Sequence, residues 1–116
     1  MVKIGIHGAS GKMGRMIIEC LKNEPSAALS AAYTIEPLDF ALPQGVVLTD
    51  KFDELFANCD VVIDFTIKEG AINLLNYART DPKQYINRIG VTLNGNWVDL
   101  QNDVTMDSSL DRKSVV

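Results

Sequence analysis

The sequence predicts an α/β fold: a doubly wound parallel sheet in a single domain. Between Val2 and Val91, short apolar runs alternate with amphipathic helical patterns. Every strand-to-strand connection is either helical or long enough to cross over, which is how parallel sheets with helices on both faces are wound. The first apolar run opens directly into a glycine-rich loop, G-A-S-G-K-M-G, that leads into a helix.

Val2 to His7 reads as a buried strand, since parallel strands covered on both faces are near-continuously apolar. Met13, Met16, Ile17, Cys20 and Leu21 recur at helical spacing and predict an amphipathic first helix, which Pro25 ends. Leu29 to Thr34 reads as the second strand, and residues 35–45, with Pro37, Pro43 and Gly45, as a loop. Val46 to Leu48 is a short third strand. Asp50 is placed to cap a small helix that turns Phe52, Leu55 and Phe56 inward. D-V-V-I-D-F, Asp60 to Phe65, is the most strand-like segment of the chain. Thr66 and Glu69 have the spacing of a capping box for a helix with Ile72, Leu75 and Ala78 in register. Tyr85 to Val91 is the predicted fifth strand, and Asn94-Gly95 a turn. The first strand is expected near the middle of the sheet, at the switch point where ligands of such folds bind. Residues 1–96 thus form the predicted domain, and 97–116 a polar tail with at most a short helix.

With 11 Lys and Arg against 15 Asp and Glu, the net charge is −4. The cations are scattered, which argues against a nucleic-acid surface or an anionic membrane face as partner. No apolar stretch approaches the roughly 20 residues of a membrane span, and M-V-K-I-G-I has no signal-peptide pattern. Cys20 and Cys59 are not in a C-x-x-C and read as free, mostly buried thiols of a reducing compartment, so a cytoplasmic location is expected. The single histidine, His7, excludes a histidine-rich metal site and reads as packed at a strand end. Asp60 is expected to be a strand-edge carboxylate and Asp64 a structural hydrogen-bond acceptor. Trp97 is expected to cap the core edge, and Asp103, Asp107 and Asp111 to line a solvated helix face; no metal site is predicted.

The glycine loop makes three physical provisions. Gly8 lets the backbone turn sharply out of the strand, and Gly14 lets the helix pack tightly on it. Between them, Ala9, Ser10 and Gly11 keep the loop thin, so that a pyrophosphate can approach amides at a helix N-terminus, where the dipole favours anions. Lys12 and Arg15 add positive charge there. Relative to the usual G-x-G-x-x-G the middle glycine has moved by one place, which changes the local turn and not the electrostatics. The Rossmann-like reading is therefore a dinucleotide site. An acidic residue for the ribose hydroxyls belongs about 20 residues past the glycines; Thr34 stands there, with Glu36 two places on and no arginine nearby. NADH and NADPH both remain open as cofactor.

Three segments together resemble one family, the dihydrodipicolinate (4-hydroxy-tetrahydrodipicolinate) reductases of lysine and diaminopimelate synthesis. G-A-S-G-K-M-G-R resembles the family's opening G-x-x-G-(R/K)-M-G-(R/K) loop. D-V-V-I-D-F-T with K-E-G resembles its D-V-x-I-D-F-(S/T)-x-P-E-G segment, and N-R-I-G-V-T-L-N-G stands where V-I-G-T-T-G would be. The resemblance covers residues 1 to about 96. It implies hydride transfer from NADH or NADPH to a small cyclic unsaturated diacid. It further implies that Gly8, Ala9, Ser10, Gly11, Lys12 and Met13 hold the pyrophosphate. By the same resemblance Phe65 and Thr66 line the crevice between adenosine and nicotinamide, and Gly90, Val91 and Thr92 lie beside the nicotinamide.

The chain also departs from the family. Thr34 and Ile35 replace an acidic and a basic residue that are frequent there, Ile67 and Lys68 replace a residue-proline pair, and Val91 replaces a threonine. The family's second, substrate-binding domain, with its paired histidines, lysine and D-A-P-S-G-T stretch, has no counterpart in these 116 residues. The chain is accordingly expected to be a fragment or truncated product that binds cofactor but holds no catalytic residue, with the diacid as partner only when a second domain is present. The family's tetramer interface is expected in that second domain, so the oligomeric state, a homo-oligomer included, stays open. Two other readings share the first-domain pattern: a non-catalytic dinucleotide- or CoA-binding module, and another two-domain NAD(P) oxidoreductase. D-F-T-x-x-E-G favours the reductase family.

Overall fold

V-K-I-G-I-H, with its apolar residues at every second place, forms the strand around which the rest is laid. A computed structural model describes residues 1–92. In chain order the elements are β1 (Val2–His7), α1 (Lys12–Leu21), β2 (Ala27–Tyr33), β3 (Val47–Thr49), α2 (Phe52–Ala57), β4 (Val61–Asp64), α3 (Lys68–Ala78), α4 (Pro82–Tyr85), a 3₁₀ turn (Ile86–Arg88) and β5 (Ile89–Thr92). The strands order as β3-β2-β1-β4-β5, and every pairing is parallel. β1 therefore lies in the middle, and the chain switches direction across the sheet on either side of it. The predicted turn at Asn94-Gly95, Trp97, the three spaced aspartates and the tail over 97–116 lie outside the described residues.

Alternation along β1 sends its side chains to two different cores. Ile4 and Ile6 pack with Ala9, Ala32 and Ile18 of α1 on one face. Gly5 points to the other, where a Cβ would stand 2.7 Å from the Cys59 Sγ and 3.0 Å from Leu55, so the missing side chain is the room those two occupy. Leu55, Phe56, Cys59, Val62, Leu74, Leu75, Ala78, Ile86 and Ile89 fill that second core beneath α2 and α3. Helices thus cover both faces, as the doubly wound reading requires. No helix among the described residues is long and apolar enough to cross a membrane.

Several local expectations are corrected. In α1 the buried residues are Gly14 and Ile18, with Ile17 and Leu21 half-buried, while Met13, Met16 and Cys20 are exposed. The cause is Gly14: by resting directly on the Gly8–Ala9 loop it turns the 14–18–21 line inward and the 13–16–20 edge out. Cys20 is consequently an exposed thiol; Cys59 alone is buried, and both are free. Lys51, not Asp50, precedes α2, because Thr49 organises this corner instead: its hydroxyl accepts the Lys51 N–H at 3.0 Å and donates to the Glu54 carboxylate at 2.6 Å. In α3 the buried face is Ala71, Leu74, Leu75 and Ala78, and Ile72 is exposed. Residues 85–88, expected in a strand, are helical. Pro82 starts a helical turn, and Tyr85 packs its ring on Phe56 and Tyr77, so the strand begins only at Ile89.

Candidate functional site

The C-terminal ends of β1, β2 and β4 converge on one side of the sheet. β1 ends in His7, and Gly8 turns the chain with φ of 95°, a left-handed conformation that glycine adopts without strain. The amides of Gly8 and Ala9 both donate to the Tyr33 carbonyl at the end of β2, at 3.1 and 3.3 Å, and the Gly11 amide donates to the Gly8 carbonyl at 3.1 Å. These bonds fold the loop against β2 and present the start of α1 to the crevice. The amides of Lys12, Met13 and Gly14 occupy its first turn, where a helix leaves N–H groups without intrahelical acceptors.

The three glycines meet different demands. A Cβ on Gly14 would lie 2.3 Å from the Gly8 carbonyl oxygen, so glycine is required for the helix to rest on the loop. A Cβ on Gly11 would meet only that same oxygen, at an ordinary 3.5 Å. Packing within the protein does not require glycine at 11; the space beside it is open.

That space belongs to a cavity of about 350 Å³. Its walls include His7, Gly8, Ser10 and Gly11 from the β1–α1 corner, Tyr33 to Glu36 from the end of β2, and Phe65, Thr66 and Ile67 from the end of β4. Glu69, Gly70 and Asn73, from the first turns of α3, complete it together with Phe52. Of the sequence-predicted residues, Gly8, Ser10, Gly11, Thr34, Phe65 and Thr66 are brought together here. Lys12 and Met13 stand at the helix start beside it, and Ala9 is fully buried beneath. Gly90, Val91 and Thr92 lie on β5, across β4 from β1, and do not line the cavity.

Asp64 joins the two groups. It has no exposure to solvent, and its carboxylate accepts three hydrogen bonds: the Thr66 amide at 3.0 Å and hydroxyl at 2.6 Å on Oδ1, and the Thr92 hydroxyl at 2.8 Å on Oδ2. His7 Nδ1 stands 3.2 Å from Oδ1, off the alignment of a hydrogen bond. Burial pushes the Asp64 carboxyl up, but His7, Thr66 and Thr92 together outweigh it and hold the group below the ordinary aspartate range. The expected capping box is corrected by the same contacts. The Thr66 hydroxyl is directed to the buried carboxylate, and the residue preceding α3 is Ile67, whose side chain cannot cap. Asp60 is a strand-edge carboxylate as expected, accepting the Lys3 amide at 2.9 Å.

A family model described as "Dihydrodipicolinate reductase, N-terminus" matches residues 2–93. The chain belongs to the dihydrodipicolinate reductase family. Among its relatives is the 4-hydroxy-tetrahydrodipicolinate reductase of Campylobacter curvus (strain 525.92), 67% identical over 92 residues, a match that takes in 79% of this chain and 35% of the relative. That of Campylobacter fetus subsp. fetus (strain 82-40) is 59% identical with the same coverage of each chain. The chain therefore spans about a third of the length of these relatives. A solved structure, dipicolinate-bound dihydrodipicolinate reductase from Paenisporosarcina sp. TG-14, superposes with a TM-score of 0.61 at 19% identity, over 89% of this chain and 42% of that one. It supports the Rossmann-like fold.

In this member of the family, sequence reading missed the part played by His7, Tyr33, Phe52, Ile67 and Asn73 in the cavity wall. His7 and Tyr33 are the last residues of their strands, the position from which a parallel sheet feeds its crevice. Glu69, Gly70 and Asn73 share one face of α3 by their i, i+1, i+4 spacing, a signal present in the sequence but hidden by the apolar face opposite.

Proposed function

We propose that this chain is the NAD(P)H-binding domain of a reductase resembling 4-hydroxy-tetrahydrodipicolinate reductase, acting in lysine and diaminopimelate synthesis. The observation that carries the proposal is the open cavity beside Gly11, at the first turn of α1 and the switch point of the sheet. Its residues fit a dinucleotide. The amides of Lys12, Met13 and Gly14, with Ser10 beside them, bind the pyrophosphate, helped by the helix dipole and the Lys12 charge. Gly8 and Ala9 act through the turn and the room they leave, since their amides are directed to Tyr33. Adenosine occupies the cavity between Thr34 and Thr66, bordered by Phe65, and the nicotinamide reaches Gly90, Val91 and Thr92 along the strand ends.

The chemistry supplied when the cofactor is bound is a hydride for a cyclic unsaturated diacid. The residues of this chain bind and orient. Thr66 and Thr92, both held by Asp64, keep the adenosine and nicotinamide ends of the crevice in fixed relation. We assign the described fold and the residues up to 96 to this domain. The proton donor and the groups that bind the diacid carboxylates belong to a second domain of such a reductase. Two free thiols, one of them exposed, favour a reducing cytoplasm as the compartment.

The test is a titration of the purified chain with NADH, NADPH and coenzyme A, followed by nicotinamide fluorescence for the first two and by calorimetry for all three. Saturable binding of a reduced nicotinamide cofactor supports the proposal. Binding of coenzyme A alone, or of none of the three up to millimolar concentration, overturns it.

A further inference from the structure

Thr34, Ile35 and Glu36, which follow β2, form one wall of the cavity. Thr34, at the place where the sequence points to a ribose ligand, has its hydroxyl engaged locally: it donates to the Glu36 carbonyl at 2.9 Å and accepts the Glu36 amide at 3.1 Å. This small turn fixes the Glu36 backbone and leaves the Glu36 carboxylate as the acidic group on that wall. Glu69 adds a second carboxylate from α3. Ile35 and Ile67, exposed by 81% and 70%, stand on the cavity from the strands on either side of β1. Both are aliphatic surface that a purine would remove from water.

Among the described residues no lysine or arginine lines this cavity. The cations of the neighbouring helix are Lys12, at its first position, and Arg15. The Arg15 guanidinium is 3.6 Å from the Asp39 carboxylate and 4.6 Å over the Phe40 ring. A free ribose gives a carboxylate two hydroxyl donors, as in NAD-binding folds. A 2′-phosphate, mostly dianionic at neutral pH, gives it repulsion and finds no cation on these walls.

We infer that this site selects NADH over NADPH, with Glu36 the residue that sets the preference. The inference rests on the dinucleotide reading above. Dissociation constants for NADH and NADPH, measured side by side on the 116-residue chain at low salt, test it. NADH is expected to bind tighter by about tenfold or more, a ratio that falls as salt screens the repulsion. Glu36→Gln is expected to narrow the ratio and Glu36→Arg to reverse it. Glu36 is exposed, so both variants should fold, which circular dichroism checks. Equal affinities, or tighter NADPH, overturn the inference while leaving the dinucleotide reading intact. A ratio unchanged by either substitution overturns the role of Glu36. Binding of neither cofactor overturns the dinucleotide reading, and the selectivity with it.

Discussion

A methyl group on Gly14 would stand 2.3 Å from the Gly8 carbonyl oxygen and 3.0 Å from the Ala9 Cα, both backbone atoms of the loop beneath. Neither can yield without moving α1 off the sheet, so Gly14→Ala is expected to cost about 2 kcal/mol of stability, read from the urea midpoint. Gly11→Ala is its counterpart. Gly11 has φ of −80° and ψ of 166°, which any residue adopts, and open space beside it. The fold should stay within about 1 kcal/mol of the parent, while NADH affinity falls as the methyl enters the phosphate space. Loss of stability at 11 as large as that at 14 would show that both glycines serve packing alone. The division of labour among the loop glycines was legible in the sequence from the strand-loop-helix context. That the Gly8 and Ala9 amides turn to Tyr33 was not, because the acceptor lies a strand away and no local spacing announces it.

Among the elements, the ends of β4 and β5 are joined by one buried carboxylate. Asp64 titrates below its ordinary value in the folded chain. Its stabilising contribution is therefore present in full above about pH 4, the unfolded value, and is lost as pH falls through the depressed folded value. Asp64→Asn is expected to cost about 1–3 kcal/mol at pH 7, and the gap between parent and variant to shrink on acidification. Urea midpoints measured from pH 7 down to pH 2.5 check this; a constant gap would remove the carboxylate charge from the explanation. The strands of the central sheet were readable from their apolar runs, and the central place of the first strand from the alternation with helices. The termini of α2, α3 and β5 were not. At α2 and α3 a side chain two residues upstream engages the group that the capping pattern had assigned elsewhere, Thr49 at Lys51 and Asp64 at Thr66, and before β5 the Phe56 and Tyr77 rings hold Tyr85 in a helical turn.

For the molecule as a whole, a ligand that binds the folded chain and not the unfolded one must raise its stability. NADH at a hundredfold excess over its dissociation constant should add about 2.7 kcal/mol, seen as a higher melting temperature. Gly11→Ala should lose most of that gain at the same NADH concentration. An NADH-independent melting temperature in the parent would contradict the proposed site. The place of the cavity follows from the glycine loop that leaves the first strand, whereas its walls are drawn from four separate segments that only the folded sheet brings together. The same central position of β1 has a consequence for how the chain reaches its native state. β1 precedes both of its neighbours in the chain, so β2 and β4 pair with it only after residues 33 and 64 have followed. Until then the strand that carries Ile4 and Ile6 of the core has an unfilled hydrogen-bonding edge. Such distant pairings close slowly and leave sticky intermediates, so refolding yield should fall as protein concentration rises well before the native state itself loses solubility.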